Sequence, residues 1–154
     1  MAFVDIILKK NLTDFYDLSF VGGDLEKTEG FASAVNISIF CEKRASASEV
    51  AIPEKRRGWW GNAFLGYTDF EYGSKLWLLL QARASQKTLN NSITYSENAL
   101  QWFIEDNYLD KVVVSSEYDD NMAMLLNVQL IRSQDIVFSN GYRLWENTIT
   151  ELTS

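Results

Sequence analysis

Histidine is absent from this chain of 154 residues, and cysteine and proline occur once each, as Cys41 and Pro53. Without histidine, the commonest general base and the commonest zinc ligand are both missing. A single cysteine closes no intramolecular disulfide and builds no metal cluster. Its apolar neighbours Ile37, Ile39 and Phe40 read as the setting of a buried, inert thiol. Serine–histidine and cysteine–histidine catalysis are thereby excluded, only carboxylate chemistry stays open, and neither cofactor nor metal is expected. One proline leaves no room for a proline-rich linker. No apolar run approaches the roughly 20 residues that cross a bilayer, Leu76–Leu80 being far too short. Met1–Lys10 carries Asp5 inside its apolar run and has no signal-peptide cleavage pattern. The expectation is a soluble protein, made in the cytosol, with no membrane partner.

Positive charge is also in deficit. Lysine and arginine total 14 against 21 aspartates and glutamates, for a net charge of −7. Affinity for phosphate backbones comes mainly from neutralising cations, so general nucleic-acid binding is not expected. The cations that exist are clustered at Lys43–Arg44 and Lys55–Arg56–Arg57. Such a cluster reads either as a solvated loop or as a local contact for an acidic neighbour.

The chain has the length of one domain, and its 47% hydrophobic and 23% charged residues suit a folded core. Phe3–Leu8 reads as a strand or anchoring arm, and the acidic, turn-rich stretch Thr13–Glu29 as a surface loop around Gly22–Gly23. In Phe31–Lys43 two periods compete. Val35, Ile37, Ile39 and Cys41 alternate as in a strand, whereas Phe31, Ala34, Val35, Ser38 and Ile39 follow helical spacing; the length favours a helix. Ala45–Arg57 reads as a loop or hairpin. Ser74 is placed to cap a helix from Lys75 to Ala82. Thr94-Tyr95-Ser96-Glu97 fits a capping box ahead of an apolar stripe of Ala99, Leu100, Phe103 and Ile104 that ends at Asn107. Val112–Val114 begins a strand, Tyr118–Asn121 forms a turn, and Met122, Met124, Leu126, Val128 and Leu130 share one face of the next strand. Asn140–Gly141, between Ile136–Ser139 and Tyr142–Trp145, predicts the turn of a further hairpin. The fold class is α+β, with two or three helices packed on a small antiparallel sheet. The single domain divides into an N-terminal strand and acidic loop (1–30), a helical and Trp/Gly-rich part (31–110) and C-terminal β-hairpins (111–154).

Two segments stand out chemically. Arg56-Arg57-Gly58-Trp59-Trp60-Gly61-Asn62 sets two adjacent indoles between glycines behind two cations, and Gly73-Ser74-Lys75-Leu76-Trp77-Leu78-Leu79 follows shortly after. Together they hold three of the five tryptophans. The pair resembles the signature of the baseplate wedge family of Mu-like contractile-tailed phages, which is similar to the T-even wedge and sheath-initiator family. The resemblance is best from about Phe31 to Leu130. Gly58, Trp59, Trp60 and Gly61 match its motif, as do Gly73, Ser74, Leu76, Trp77 and Leu78. Asn62 departs from the aspartate usual at that position, so any salt bridge from that acid is lost or becomes a hydrogen bond. The Glu-Pro-Arg element of the T-even branch is absent, because Glu105 is followed by Asp106 and Asn107.

The resemblance implies a helix before the arginine-containing turn and a structural, non-enzymatic role in a contractile tail. The protein would link wedge to central hub and spike, and would initiate the sheath by giving its first ring a docking platform. Six copies around a hexagonal base are implied, assembled in the host cytoplasm and carried in the virion. Arg56, Arg57, Gly58, Trp59, Trp60, Gly61, Gly73, Ser74, Leu76 and Trp77 are then the motif and interface candidates. The tryptophans either fill the core, or one packs inside while the other anchors an interface. For sheath docking, the candidates are Ile136, Phe138, Tyr142, Leu144 and Trp145, on a hairpin whose edge invites strand pairing. The alternative function is a carboxylate-dependent glycan hydrolase, with Glu97, Glu105, Asp69 and Glu71 as the available acids. A carbohydrate-binding module requires the tryptophan rings to be exposed and coplanar.

Overall fold

The computed structural model describes residues 4–10, 16–66, 70–145 and 148–152. Its largest sheet grows from the C-terminal third. β7 (Lys111–Tyr118), β8 (Met124–Arg132), β9 (Asp135–Trp145) and β10 (Thr148–Leu152) pair antiparallel in the spatial order β10-β9-β8-β7. The alternation on β8 explains its central place. Met124, Leu126, Val128 and Leu130 are buried, while Asn127 faces solvent. Against this face pack α1 (Ala32–Phe40), α2 (Gln86–Leu100) and the short α3 (Trp102–Glu105). Val35 and Ile39 of α1, Leu100, Phe103, and Tyr142 of β9 complete the core. The fold is α+β, as the composition and periodicities predict.

Several local expectations are corrected. Asn140–Gly141 is not a turn. β9 runs straight through it, paired with β8 from Asp135 to Leu144, and the reversal lies at Ser133–Gln134, both with positive φ (52° and 70°). The reason is tertiary. Phe138, Tyr142 and Leu144 oppose Leu130, Leu126 and Met124, and Tyr142 reaches the buried side to donate its hydroxyl to Asn36 Oδ1 at 2.8 Å. A bend at Asn140 would forfeit that burial. Met122 is not part of β8 either: it sits in the preceding turn at φ 62°, exposed.

The capping box at Thr94–Glu97 is likewise absent. α2 starts at Gln86, where Ser85 Oγ accepts from the Thr88 amide at 3.2 Å, and Thr94 lies mid-helix with its hydroxyl donating to Asn90 O at 3.1 Å. After Ser74 the chain makes only a 3₁₀ turn, Leu76–Leu79, not a helix to Ala82, although Ser74 Oγ does accept from the Leu76 amide at 3.2 Å. Asn107 closes the α3 region in a left-handed conformation, φ 60°.

The acidic segment read as a loop holds short strands. β1 (Val4–Ile6) pairs with β6 (Lys27–Glu29), β2 (Leu8–Lys10) with β3 (Tyr16–Leu18), and β4 (Phe20–Val21) with β5 (Asp24–Leu25). Phe3 and Thr13–Phe15 lie outside the described residues. Among the described residues this arm pairs with itself, not with the C-terminal sheet. It is fastened to α1 by the Ser33 hydroxyl, which donates to Ile6 O, and is cross-braced by Lys9 and Glu26 at 2.6 Å.

Candidate functional site

The two motif segments meet on the chain that leaves α1. Glu42 and Ser74 form a parallel bridge: Lys43 N donates to Ser74 O and Ser74 N to Cys41 O, each at 2.9 Å. Gly73 is required there. Its φ is 110°, and a Cβ would fall 2.6 Å from Cys41 O. Ser74 is buried, its hydroxyl donating to Ile39 O, and Leu76 is buried beside it. Trp77 Nε1 donates to Lys43 O at 2.9 Å, so its indole is pinned. The Arg57 guanidinium lies 4.9 Å from the Trp77 ring centre and 2.6 Å from Glu42 Oε1.

Arg44 donates to Arg57 O and Pro53 O, both at 3.2 Å. Arg56 donates to Val50 O at 2.8 Å and Ala51 O at 3.1 Å. These two cations hold the loop 45–57 through backbone carbonyls, and among the described residues no carboxylate pairs with them. Gly58, at φ 124°, brings the chain past Arg44. Glu49 pairs with Lys75 at 2.8 Å and so joins the loop to the second segment. The hydrogen bond from Lys75 holds the Glu49 carboxyl down at about 2, against a partial burial that raises it. Cys41 is half-buried, and burial pushes its thiol up.

On this frame the adjacent tryptophans diverge. Trp59 is half-buried with its ring folded back over Gly61, where a Cβ would sit 2.4 Å from Trp59 Cζ2, so any larger residue there would push the indole aside. Trp60 and Phe64, on the 3₁₀ turn Trp60–Phe64, are 75% and 80% exposed. Ring contacts run inward from them: Phe64 to Trp60 (5.9 Å), Trp60 to Trp59 (6.0 Å), Trp59 to Tyr72 (6.4 Å), Tyr72 to Trp102 (5.9 Å), then the stacked Trp102–Phe103 pair at 3.9 Å. Asn62 locks the turn by a paired amide contact, accepting from Tyr72 N at 2.9 Å and donating to Tyr72 O at 3.0 Å. A carboxylate there would lose the second bond and face a carbonyl, so asparagine is the better fit. The sequence could not reveal that Trp102 and Tyr72 belong to this ladder, because the ladder is assembled across distant segments.

The remaining candidates are dispersed. Ile136 is 57% exposed at the start of β9, Phe138 and Leu144 are half-buried, Tyr142 is a core residue, and the Trp145 backbone pairs with Thr148. β10 covers β9 only from Gly141 to Trp145. Among the described residues, no strand lies beside Asp135–Asn140 on that side. Glu71 is exposed in irregular chain and Glu97 and Glu105 on two different helices, and Asp69 lies outside the described residues. The ring planes of Trp59 and Trp60 are 52° apart, and those of Trp60 and Phe64 73°. That is not the coplanar platform on which a sugar face stacks.

Sequence comparison gives a consistent result. The model of the family described as phage protein GP46 matches residues 31–137, which includes both motif segments, β7, β8 and the start of β9. The baseplate protein gp46 of Escherichia phage Mu is 37% identical over 89 residues, 56% of this chain and 59% of that protein. The Mu-like prophage FluMu protein gp46 of Haemophilus influenzae is 31% identical over 104 residues, 67% of this chain and 69% of that protein. The match thus spans less than two thirds of the Mu protein's length. With well over half of the chain matched by the family model, the protein belongs to the phage GP46 family.

Proposed function

We propose that this protein is a non-catalytic structural component of a contractile phage tail baseplate. It links wedge to central hub and offers the first ring of sheath subunits a docking platform, in six copies around the base. It is assembled in the host cytoplasm and resides in the tail of the virion. Family membership supports the baseplate role, since the Mu relative carries that name. The observation that carries the reading is the Trp60–Phe64 tip. Two large rings stand in solvent on a turn held by the Asn62–Tyr72 amide pair, with Gly61 packed under Trp59. Rigid exposed aromatics of this kind lose little side-chain entropy on binding and concentrate binding energy at interfaces. Leaving them in water serves no purpose within the fold.

The test is assembly. A Trp60→Ser, Phe64→Ser chain should fold as the wild type does, because both rings are exposed, yet fail to enter tails. Normal numbers of infectious particles from that variant would defeat the reading. Electron microscopy of intact tails then locates the chain relative to sheath, hub and wedge. A position outside the baseplate would defeat it as well.

A further inference from the structure

β7 ends the large sheet on the side away from β10, and among the described residues no strand lies beyond it. Such an edge offers main-chain groups to any extended segment, and monomeric proteins blunt it with proline, bulges, shortness or charge. Of these β7 has only charge, and only near its ends. It runs for eight residues, pairs with β8 in unbroken register from Lys111 to Tyr118, and holds the β-branched run Val112–Val114.

The two charges are unmatched within the chain. Lys111 and Glu117 are exposed, lie on the outer face of the sheet, and are equidistant from the buried Val114. Across β8 they oppose Ile131 and Leu125, and among the described residues neither makes an ion pair. The strand is therefore complementary to its own antiparallel copy. With Val114 set opposite Val114 of a second copy, Lys111 meets the second copy's Glu117, and Glu117 meets its Lys111. Val112 then opposes Ser116 and Val113 opposes Ser115, so each side chain keeps to its own face of a continuous sheet. A slide of two residues loses both Lys111–Glu117 contacts, and a slide of one sets inner faces against outer ones. Opposite charges directly across a strand pair stabilise it, and like charges there destabilise it.

We propose that the free chain pairs with a second copy of itself, β7 adding antiparallel to β7 about a two-fold axis at Val114. Two four-stranded sheets then become one continuous sheet. The contact is isologous and closes on two chains. Neighbours in the six-fold ring proposed above meet head to tail, so the pair is a form of the chain outside the tail and separates on entry. It uses neither the tryptophan tip nor β9, and the baseplate role does not depend on it.

The test is sedimentation equilibrium of the full chain from about 1 μM to about 1 mM. The wild type should pass from the mass of one chain to that of two as concentration rises. Glu117→Lys sets lysine against lysine at both ends of the contact, and Lys111→Glu sets glutamate against glutamate. Each should weaken pairing at least about ten-fold. Both changes in one chain restore opposite charges and should recover the wild-type dissociation constant within about three-fold. An equimolar mixture of the two single variants should also pair, one chain of each, because every lysine then meets a glutamate. The substituted side chains are exposed, and circular dichroism with urea unfolding checks that the fold is kept. A wild type that stays single throughout, single variants that pair as the wild type does, or a doubly changed chain or mixture that stays single would each overturn the inference.

Discussion

Glu49 and Lys75 show how single residues fix the site's frame. Their ion pair, at 2.8 Å, ties the loop 45–57 to the Gly73–Trp77 segment, and the Ser46 amide and hydroxyl add two bonds to the same carboxylate. The folded-state Glu49 carboxyl titrates at about 2, below its ordinary value of 4.5. A depressed carboxylate contributes stability that is fully present above the ordinary value and is lost as the pH falls toward the folded one. Acidification from about pH 5 to about pH 3 should therefore lower the melting temperature of the wild type more than that of a Lys75→Met chain. Parallel losses in the two proteins would show that the pair adds nothing. The motif glycines belong to this scale as well. Gly61 and Gly73 could be singled out from the sequence, but the reasons for them, an indole folded back and a carbonyl pressed close, exist only in three dimensions.

Among elements, legibility followed the apolar pattern and failed where polar residues are buried. α1 and the alternation of β8 could be read because valine, isoleucine and leucine mark their inner faces. The first half of α2 could not, because its inward stripe is Thr88, Leu89, Ser92, Ser96 and Leu100. The Ser92 and Ser96 hydroxyls donate to carbonyls of their own helix, Leu89 O at 2.7 Å and Ser92 O at 2.8 Å, so they can be buried without partners elsewhere. Small side chains also let α2 lie close over β7. To hydrophobic periodicity such a stripe looks like solvent-facing sequence, which sets the apparent helix start too late. Replacing the true cap, Ser85→Ala, should cost about 1 kcal/mol in urea unfolding. Thr94→Ala should be neutral or slightly stabilising, because alanine is the better residue in a helix interior. Equal losses from the two substitutions would restore Thr94 as a cap. β9 was hidden differently. Its Asn-Gly pair is a genuine local turn signal, outweighed by the burial of Tyr142 and the continuous ladder with β8. For the candidate site, the motif segments were legible as composition, but the aromatic ladder and the division of labour between Trp59 and Trp60 were not.

At the scale of the whole molecule, the large sheet constrains how sheath docking can be tested. β9 lies between β8 and β10, so cutting the chain after Ser133 removes two strands and uncovers Leu126, Leu130 and the rest of the buried face. Such a truncation reports on folding, not on docking. The proposed docking instead rests on the side of Asp135–Asn140 that no described strand covers, the side on which a strand from the first sheath ring would add by main-chain pairing. Ile136 and Ser139 are exposed on this stretch, whereas Tyr142 is committed to the core. Lysine at an edge is a natural barrier to strand addition, since pairing would desolvate the charge. An Ile136→Lys, Ser139→Lys chain should keep its unfolding midpoint within roughly 0.5 kcal/mol of the wild type, as surface substitutions usually do. In tails it should yield complete baseplates without extended sheath. Full-length sheaths on baseplates carrying this variant would remove β9 from the docking surface. Baseplates that fail to form at all would move it to the contacts between wedge components.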